Sequence, residues 1–348
     1  MKVSATFVFV LTAVLFLSCN DNSTTTDSSI LTTSDGSNQV VEYAMVIHGG
    51  AGTILRENMD EETEKAYNEI LTKVLVEGEQ MLKDGMNSEE VVVKSIMKME
   101  DSPLFNAGKG AVFTNEETNE LDASIMRGSD QQAGAVSGIT SIRNPITAAL
   151  AVLNKSEHVL LSGIGADKFA AENGCEVVDP SYFHTERRLN SLNRIKAKED
   201  FGTLESSDLD YKYGTVGCIV LDKKGNIVAG TSTGGMTNKK YNRIGDSPII
   251  GAGTYADNST CGVSSTGHGE YFIRYTVAYD IAARMEYKGL SVNEAAKEVV
   301  MDKLVKKGGS GGVVALSKTG EIAMIFNTPG MYRGYVKPGE LVVKIYED

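Results

Sequence analysis

The chain has 348 residues and is 41% hydrophobic, so it can bury a sizeable core without help from disulfides. Its 46 Asp and Glu outnumber 34 Lys and Arg, and the formal charge of -12 repels phosphate backbones and anionic lipid headgroups, which argues against a nucleic-acid partner. Beyond Cys19 only Cys175, Cys218 and Cys261 occur, without CxxC spacing, so neither a disulfide framework nor a zinc site is encoded.

Residues 1–19 read as an export signal: Met1 and Lys2, an apolar stretch over 8–17 broken only by Thr12, then Ser18 and Cys19. The stretch is too short to span a bilayer as a mature helix. With the flexible polar tether that follows over 20–43, it looks like a lipoprotein signal whose lipid anchor is Cys19, matched loosely at Phe16 and Leu17. An ordinary cleaved signal stays open. Either reading exports the protein to the cell envelope or periplasm, with a membrane touched only through the lipid.

A short strand over 44–47 runs into His48-Gly49-Gly50-Ala51-Gly52, where the glycines are expected to end it in a loop. Ala66, Ile70, Val74, Val76 and Met81, then Val91, Val92, Ile96 and Met97, stand at helical spacing and predict amphipathic helices over 61–82 and 89–99. A glycine-dense loop, Phe105-Asn106-Ala107-Gly108-Lys109-Gly110, precedes strands over 121–126 and 134–142. Pro145 suits the first turn of a helix reaching residue 153. Residues 181–213 are hydrophilic without a sustained apolar period and read as a long exposed connection.

Order resumes at Gly214-Thr215-Val216-Gly217-Cys218, which opens a hairpin turning at Lys223-Lys224-Gly225-Asn226 into a strand over 227–231. Another strand over 261–266 leads through Gly267-His268-Gly269 into a helix over 270–285. A helix over 292–305 and strands over 313–316, 322–326 and 341–345 complete the chain. Cys218 and Cys261 lie in apolar strand-like runs and read as buried thiols. Helices in blocks between hairpin-connected strands argue for an α+β fold of antiparallel sheets covered by helices, one domain interrupted by the connection.

Thr215 draws the chemistry. It follows a polar connection and Gly214, a residue able to take the strained backbone of an autoproteolytic turn. A threonine hydroxyl is a weak nucleophile, but if the bond before it is cut, the new α-amine, with a pKa of about 8, sits within reach as its base. Uncut, Thr215 is only a β-branched strand residue. Arg243 and Asp246 could grip the carboxylate and ammonium of one amino acid, or form a plain surface ion pair. The hydroxyl of Thr266 and the N–H of Gly267, ahead of a helix, could make an oxyanion hole or a plain turn.

Several motifs together resemble the plant-type asparaginase and isoaspartyl peptidase family: Ile47-His48-Gly49-Gly50-Ala51-Gly52, Phe105-Asn106-Ala107-Gly108-Lys109-Gly110, Glu120-Leu121-Asp122-Ala123-Ser124, Gly214-Thr215-Val216-Gly217, Thr231-Ser232-Thr233-Gly234-Gly235, Gly245-Asp246-Ser247-Pro248, Thr266-Gly267-His268-Gly269-Glu270 and Gly330-Met331-Tyr332-Arg333-Gly334. The resemblance covers nearly everything from residue 44 onward. It implies an N-terminal-nucleophile hydrolase fold, an αββα sandwich, made as one precursor and cut between Gly214 and Thr215 into an alpha subunit (44–214) and a beta subunit (215–348). Carried across, Thr215 is the nucleophile and Thr233 tunes its hydroxyl. Arg243 holds the substrate α-carboxylate, Asp246 its α-amine with the Gly269 carbonyl, Thr266 and Gly267 the oxyanion, and Asn106 supports the site.

The resemblance further implies a small amino-acid or dipeptide substrate, isoaspartyl dipeptides ahead of asparagine, and a dimer of cleaved protomers. No catalytic cofactor is implied. In members with a structural sodium, backbone carbonyls hold it, here those of Met99, Glu100, Ser102, Phe105, Ala107 and Lys109. Asn242 stands where glycine is usual, Ile244 where valine is usual, and Arg127 where an acidic residue often follows; these bear on substrate preference, not on the nucleophile.

Rival readings are weaker. Gly230-Thr231-Ser232-Thr233-Gly234 fits G-x-S-x-G, with Asp246 and His268 following in serine-hydrolase order, but the three lie too close together for successive βα units. Gly251-Ala252-Gly253-Thr254-Tyr255-Ala256 lacks the βαβ surroundings of a dinucleotide site. Glycosylasparaginase shares the nucleophile and the Arg-Asp grip, and a non-catalytic envelope binding protein is the rival of another class.

Overall fold

The computed structural model describes residues 41–202 and 214–347, so the expected signal, the lipid anchor at Cys19 and the tether up to residue 40 lie outside the described residues. The tether expected over 20–43 ends earlier than that: Tyr43 is buried in the core, and its hydroxyl donates to Glu79 Oε1 at 3.1 Å. Strand β1 (Ala44–Gly52) is buried along its whole length. The glycines expected to end it carry it onward through a bulge between His48 and Ala51. A Cβ at Gly49 would lie 2.3 Å from the Phe105 ring, so only glycine lets the strand pass there.

Helices α1 (Glu61–Lys83) and α2 (Ser88–Glu100) follow as expected, capped by Asp60 accepting from Thr63 N at 2.7 Å and Asn87 from Glu90 N at 2.9 Å. After β2 (Leu121–Arg127), β3 (Ala133–Ile139) and α3 (Pro145–Lys155) come two elements the pattern did not announce, β4 (Leu160–Ser162) and α4 (Gly163–Glu172).

The expected connection is not all loop. Residues Glu186–Asp200 form helix α5, which buries only Arg188 and Leu192. Its anchor is polar: Arg188 Nε donates to the Gly110 carbonyl at 2.7 Å, and hydropathy spacing carries no trace of such a bond.

Strands β5 (Val216–Leu221) and β6 (Ile227–Thr233) form the expected hairpin, followed by β7 (Thr254–Ala256) and β8 (Cys261–Gly267). The single helix expected over 270–285 is two, α6 (Gly269–Tyr275) and α7 (Val277–Lys288), broken at Thr276 with φ 46 and ψ 53. The break frees the first N–H groups of α7, and Ala278 and Tyr279 give theirs to the carbonyls of Ala252 and Gly251 at 3.2 and 2.9 Å. Helix α8 (Val292–Lys297) continues through a π-helical stretch, Glu298–Leu304, into β9 (Gly311–Ser317), β10 (Ile322–Phe326), β11 (Gly330–Lys337) and β12 (Glu340–Tyr346).

One sheet has the order β12-β11-β1-β5-β6-β2-β3-β4, the other β10-β9-β8-β7. Every ladder between named strands is antiparallel except β3 with β4. The period-two alternation of strands builds the layers. Met45, Ile47, Cys218 and Val220 face α1 and α2, while Val46, Ile219 and Leu221 meet Val314 and Leu316 between the sheets. Val263, Val313 and Ala315 face the second helical layer at Phe272, Ile281 and Val299. Cys218 and Cys261 are buried free thiols, as expected.

Candidate active site

Thr215 stands just ahead of β5 and is 8% exposed. Its Oγ1 lies 2.9 Å from Oγ1 of Thr233, the last residue of the paired strand β6. Alternation along β6 turns Thr231 and Thr233 toward the second sheet and Ser232 the other way, where its hydroxyl donates to Glu100 Oε1 at 2.7 Å. Ser232 is therefore on the wrong face for a serine triad, and His268 contacts Glu270 at 3.2 Å instead. The Gly251–Ala256 run is a turn into a three-residue strand, which disposes of the dinucleotide fingerprint.

Asn106 ties the neighbourhood together. Its N–H donates to the Gly214 carbonyl at 2.8 Å and its carbonyl accepts from Gly234 N at 2.9 Å. Its side chain accepts from Val112 N at 2.9 Å and donates to the Gly235 carbonyl at 2.7 Å. Gly235 in turn donates its N–H to the Thr233 hydroxyl at 3.0 Å, which leaves the Thr233 proton available to Thr215. Gly214 is required by proximity: a Cβ there would lie 2.5 Å from Asn106 N.

Thr266, near the end of β8, accepts from Ala51 N at 3.3 Å. Since His48 pairs with Gly217 in antiparallel register, Ala51 lies at the Gly214–Thr215 end of β5, and Thr266 with it. Gly267 follows against the Ser310 carbonyl, which also accepts from His268 N at 2.9 Å.

Arg243, Asp246 and Gly269 converge as expected. A Cβ at Gly269 would lie 2.8 Å from Arg243 Nη2 and 3.0 Å from Asp246 Oδ1. Glu270, not foreseen as a site residue, accepts from Arg243 Nε and Nη2, each at 2.8 Å. Burial alone would raise the Glu270 carboxyl, but hydrogen bonds from His268 and Arg243 outweigh it and hold the group far below the usual range. Asp246 is buried with Oδ2 unpartnered, and desolvation pushes its carboxyl up to about 7 against the pull of Arg243.

His48, the buried first residue of its glycine motif, was also not foreseen. It begins a hydroxyl chain between the sheets: Nε2 to Ser264 at 2.9 Å, Ser264 to Thr231 at 2.7 Å, Thr254 to Thr231 at 2.6 Å and Ser124 to Thr254 at 2.8 Å. Burial pushes its imidazole down to about 3, so it acts as a neutral strut.

In the loop after α2, a Cβ at Gly108 would meet the Glu100 carbonyl oxygen at 2.4 Å, and one at Gly110 the Phe105 carbonyl oxygen at 2.0 Å. The loop thus curls around its own carbonyls. Among the described residues no group of His, Cys, Asp and Glu could hold a metal, so any cation here would rely on such neutral oxygens.

Two largely antiparallel sheets between helical layers, with a buried threonine at the head of a central strand, define the N-terminal-nucleophile hydrolase architecture. The family model described as Asparaginase matches residues 41–344. The chain is 48% identical over 300 residues to the isoaspartyl peptidase of Escherichia coli (strain K12), covering 85% of this chain and 93% of that protein. It is 46% identical over 299 residues to the isoaspartyl peptidase of Salmonella typhimurium, covering 85% and 96%. To the isoaspartyl peptidase/L-asparaginase of Rattus norvegicus it is 37% identical over 301 residues, covering 86% and 88%. The chain belongs to the asparaginase family, and is an enzyme of that family.

Proposed function

We propose that the chain cuts itself between Gly214 and Thr215 and then hydrolyses the side-chain amide of isoaspartyl peptides and asparagine, releasing aspartate. The observation that carries this reading is the Thr215 hydroxyl, 2.9 Å from Thr233, just beyond a Gly214 carbonyl that accepts from Asn106 N–H. In the cut, Thr215 Oγ attacks that carbonyl, the C–N bond breaks to an ester and a free amine, and water hydrolyses the ester to a Gly214 carboxylate.

The freed amine then takes the Thr215 proton as Oγ attacks the substrate amide, while Thr233 donates to the attacking oxygen. Thr266 hydroxyl and Gly267 N–H meet the oxyanion. Collapse expels the protonated leaving amine and leaves an aspartyl ester on Thr215, which water hydrolyses. Arg243 holds the α-carboxylate with the donors that Glu270 leaves free, and Asp246, through its buried Oδ2, takes the α-ammonium with the Gly269 carbonyl.

The relatives' names favour isoaspartyl dipeptides over a glycosylated asparagine. The carbonyls of Met99, Glu100, Ser102, Phe105, Ala107 and Lys109 are the oxygens that would hold a sodium ion and stiffen the Asn106 loop, with no part in the chemistry. Dimerisation of cleaved protomers and an envelope location through a Cys19 lipid complete the reading. The test is release of aspartate from a β-aspartyl dipeptide, asparagine and a glycosylasparagine. Turnover of the dipeptide fastest supports the proposal, and turnover of none contradicts it.

A further inference from the structure

Lys239 is 2% exposed, and a buried ammonium is costly unless paired. Its Nζ donates to the Glu120 carbonyl at 3.1 Å and stands 3.4 Å from Glu120 Oε2. A Cβ at Gly235 would lie 3.2 Å from that Nζ, so the ammonium sits directly behind the residue that fixes the Thr233 hydroxyl and accepts from Asn106. The other Glu120 oxygen accepts from Asn242 Nδ2 at 3.1 Å. Asn242, with φ 53, directly precedes Arg243, so one carboxylate joins the wall behind the nucleophile to the loop that grips substrate. Asparagine tolerates this left-handed backbone, and its amide adds a tether that glycine could not.

We propose that Lys239 is a positioning residue for the nucleophile, and that Glu120 couples it through Asn242 to Arg243. The proposal rests on Thr215 as the nucleophile. A fixed ammonium behind Gly235 holds the Thr233 hydroxyl in line with Thr215 and disfavours protonation of the released amine. The charged groups around the pair are Lys239, Glu120 and Asp122, the Cα partner of Thr233, with Arg243, Asp246 and Glu270 on the substrate side, while His48 is neutral. Removing Lys239 leaves the carboxylates uncompensated, so the amine must bind its proton more tightly.

The experiment compares Lys239→Met, Lys239→Arg, Glu120→Gln and Asn242→Gly as self-cleaved proteins with matching circular dichroism, assayed on β-aspartyl-leucine across pH. Lys239→Met should lower kcat at least about tenfold with little change in KM and move the acid limb of kcat/KM up by about half a pH unit or more. Lys239→Arg should restore most of kcat, and Asn242→Gly should raise KM. A folded Lys239→Met enzyme with wild-type kcat and acid limb overturns the proposal, as does a loss that Lys239→Arg does not relieve. If Lys239→Met does not fold, Glu120→Gln decides: a joint fall in kcat and rise in KM supports the coupling, and unchanged values overturn it. Activity in Thr215→Ala would sink the nucleophile reading itself, a result separate from any of these.

Discussion

The backbone N–H of Asn106 donates to the carbonyl of Gly214 at 2.8 Å, while the same residue's side-chain amide reaches Gly235 at 2.7 Å. One residue thus polarises the bond ahead of Thr215 and orients the turn behind Thr233. Asn106→Ala keeps the first bond and loses the second, along with the bond from Val112. It should slow self-cleavage and turnover, each by about tenfold or more, read from a time course of fragments on a denaturing gel and from steady-state rates.

In the proposed mechanism Thr233 acts on the reacting oxygen, 2.9 Å from its own hydroxyl, and binding is left to Arg243 and Asp246. Thr233→Val keeps the shape and removes the hydroxyl, so kcat should fall by about a hundredfold while KM stays close to wild type. A change confined to KM would assign Thr233 to binding instead.

Ser232→Ala separates the threonine reading from the serine one. Turnover should stay within about threefold of wild type, because the hydroxyl faces α2. Stability should fall by about 1–3 kcal/mol in urea unfolding, since buried Glu100 loses a donor while burial already pushes its carboxyl up to about 7.

Asp246 gives a pH dependence with a definite sign. Its carboxyl rises from 3.8 to about 7 on folding, so the folded state binds the proton more tightly. The stabilisation is complete below the unfolded value and is lost as pH rises through the folded one. Asp246→Asn should therefore raise Tm relative to wild type at about pH 8, by the equivalent of a few kcal/mol, with little difference at about pH 4. It should also abolish detectable turnover. In the wild type, KM should fall as pH rises through the same range, because only the ionised carboxylate attracts the substrate ammonium.

What the sequence made legible follows from which forces leave a pattern. Apolar spacing placed α1 and α2 to within two or three residues, because each buries one continuous stripe, and Pro145 marked the start of α3. It missed α5, whose anchor is a guanidinium on a carbonyl, and the break at Thr276, which hydrogen bonds to Ala252 and Gly251 impose. The site behaved alike. Thr215, Thr233, Arg243, Asp246 and Asn106 were legible as motifs, and the fold brings them together. Glu270 and Lys239 were not foreseen, because their role lies in pairing across 27 and 119 positions of chain, which no local spacing encodes.

The central claim is that Thr215 becomes an amino terminus. Intact-mass analysis of the purified mature protein, beside Thr215→Ala, tests it most directly. Two fragments meeting between Gly214 and Thr215 in the wild type, with an uncut and inactive mutant, are the predicted result; a wild type that stays intact and still releases aspartate would contradict the account.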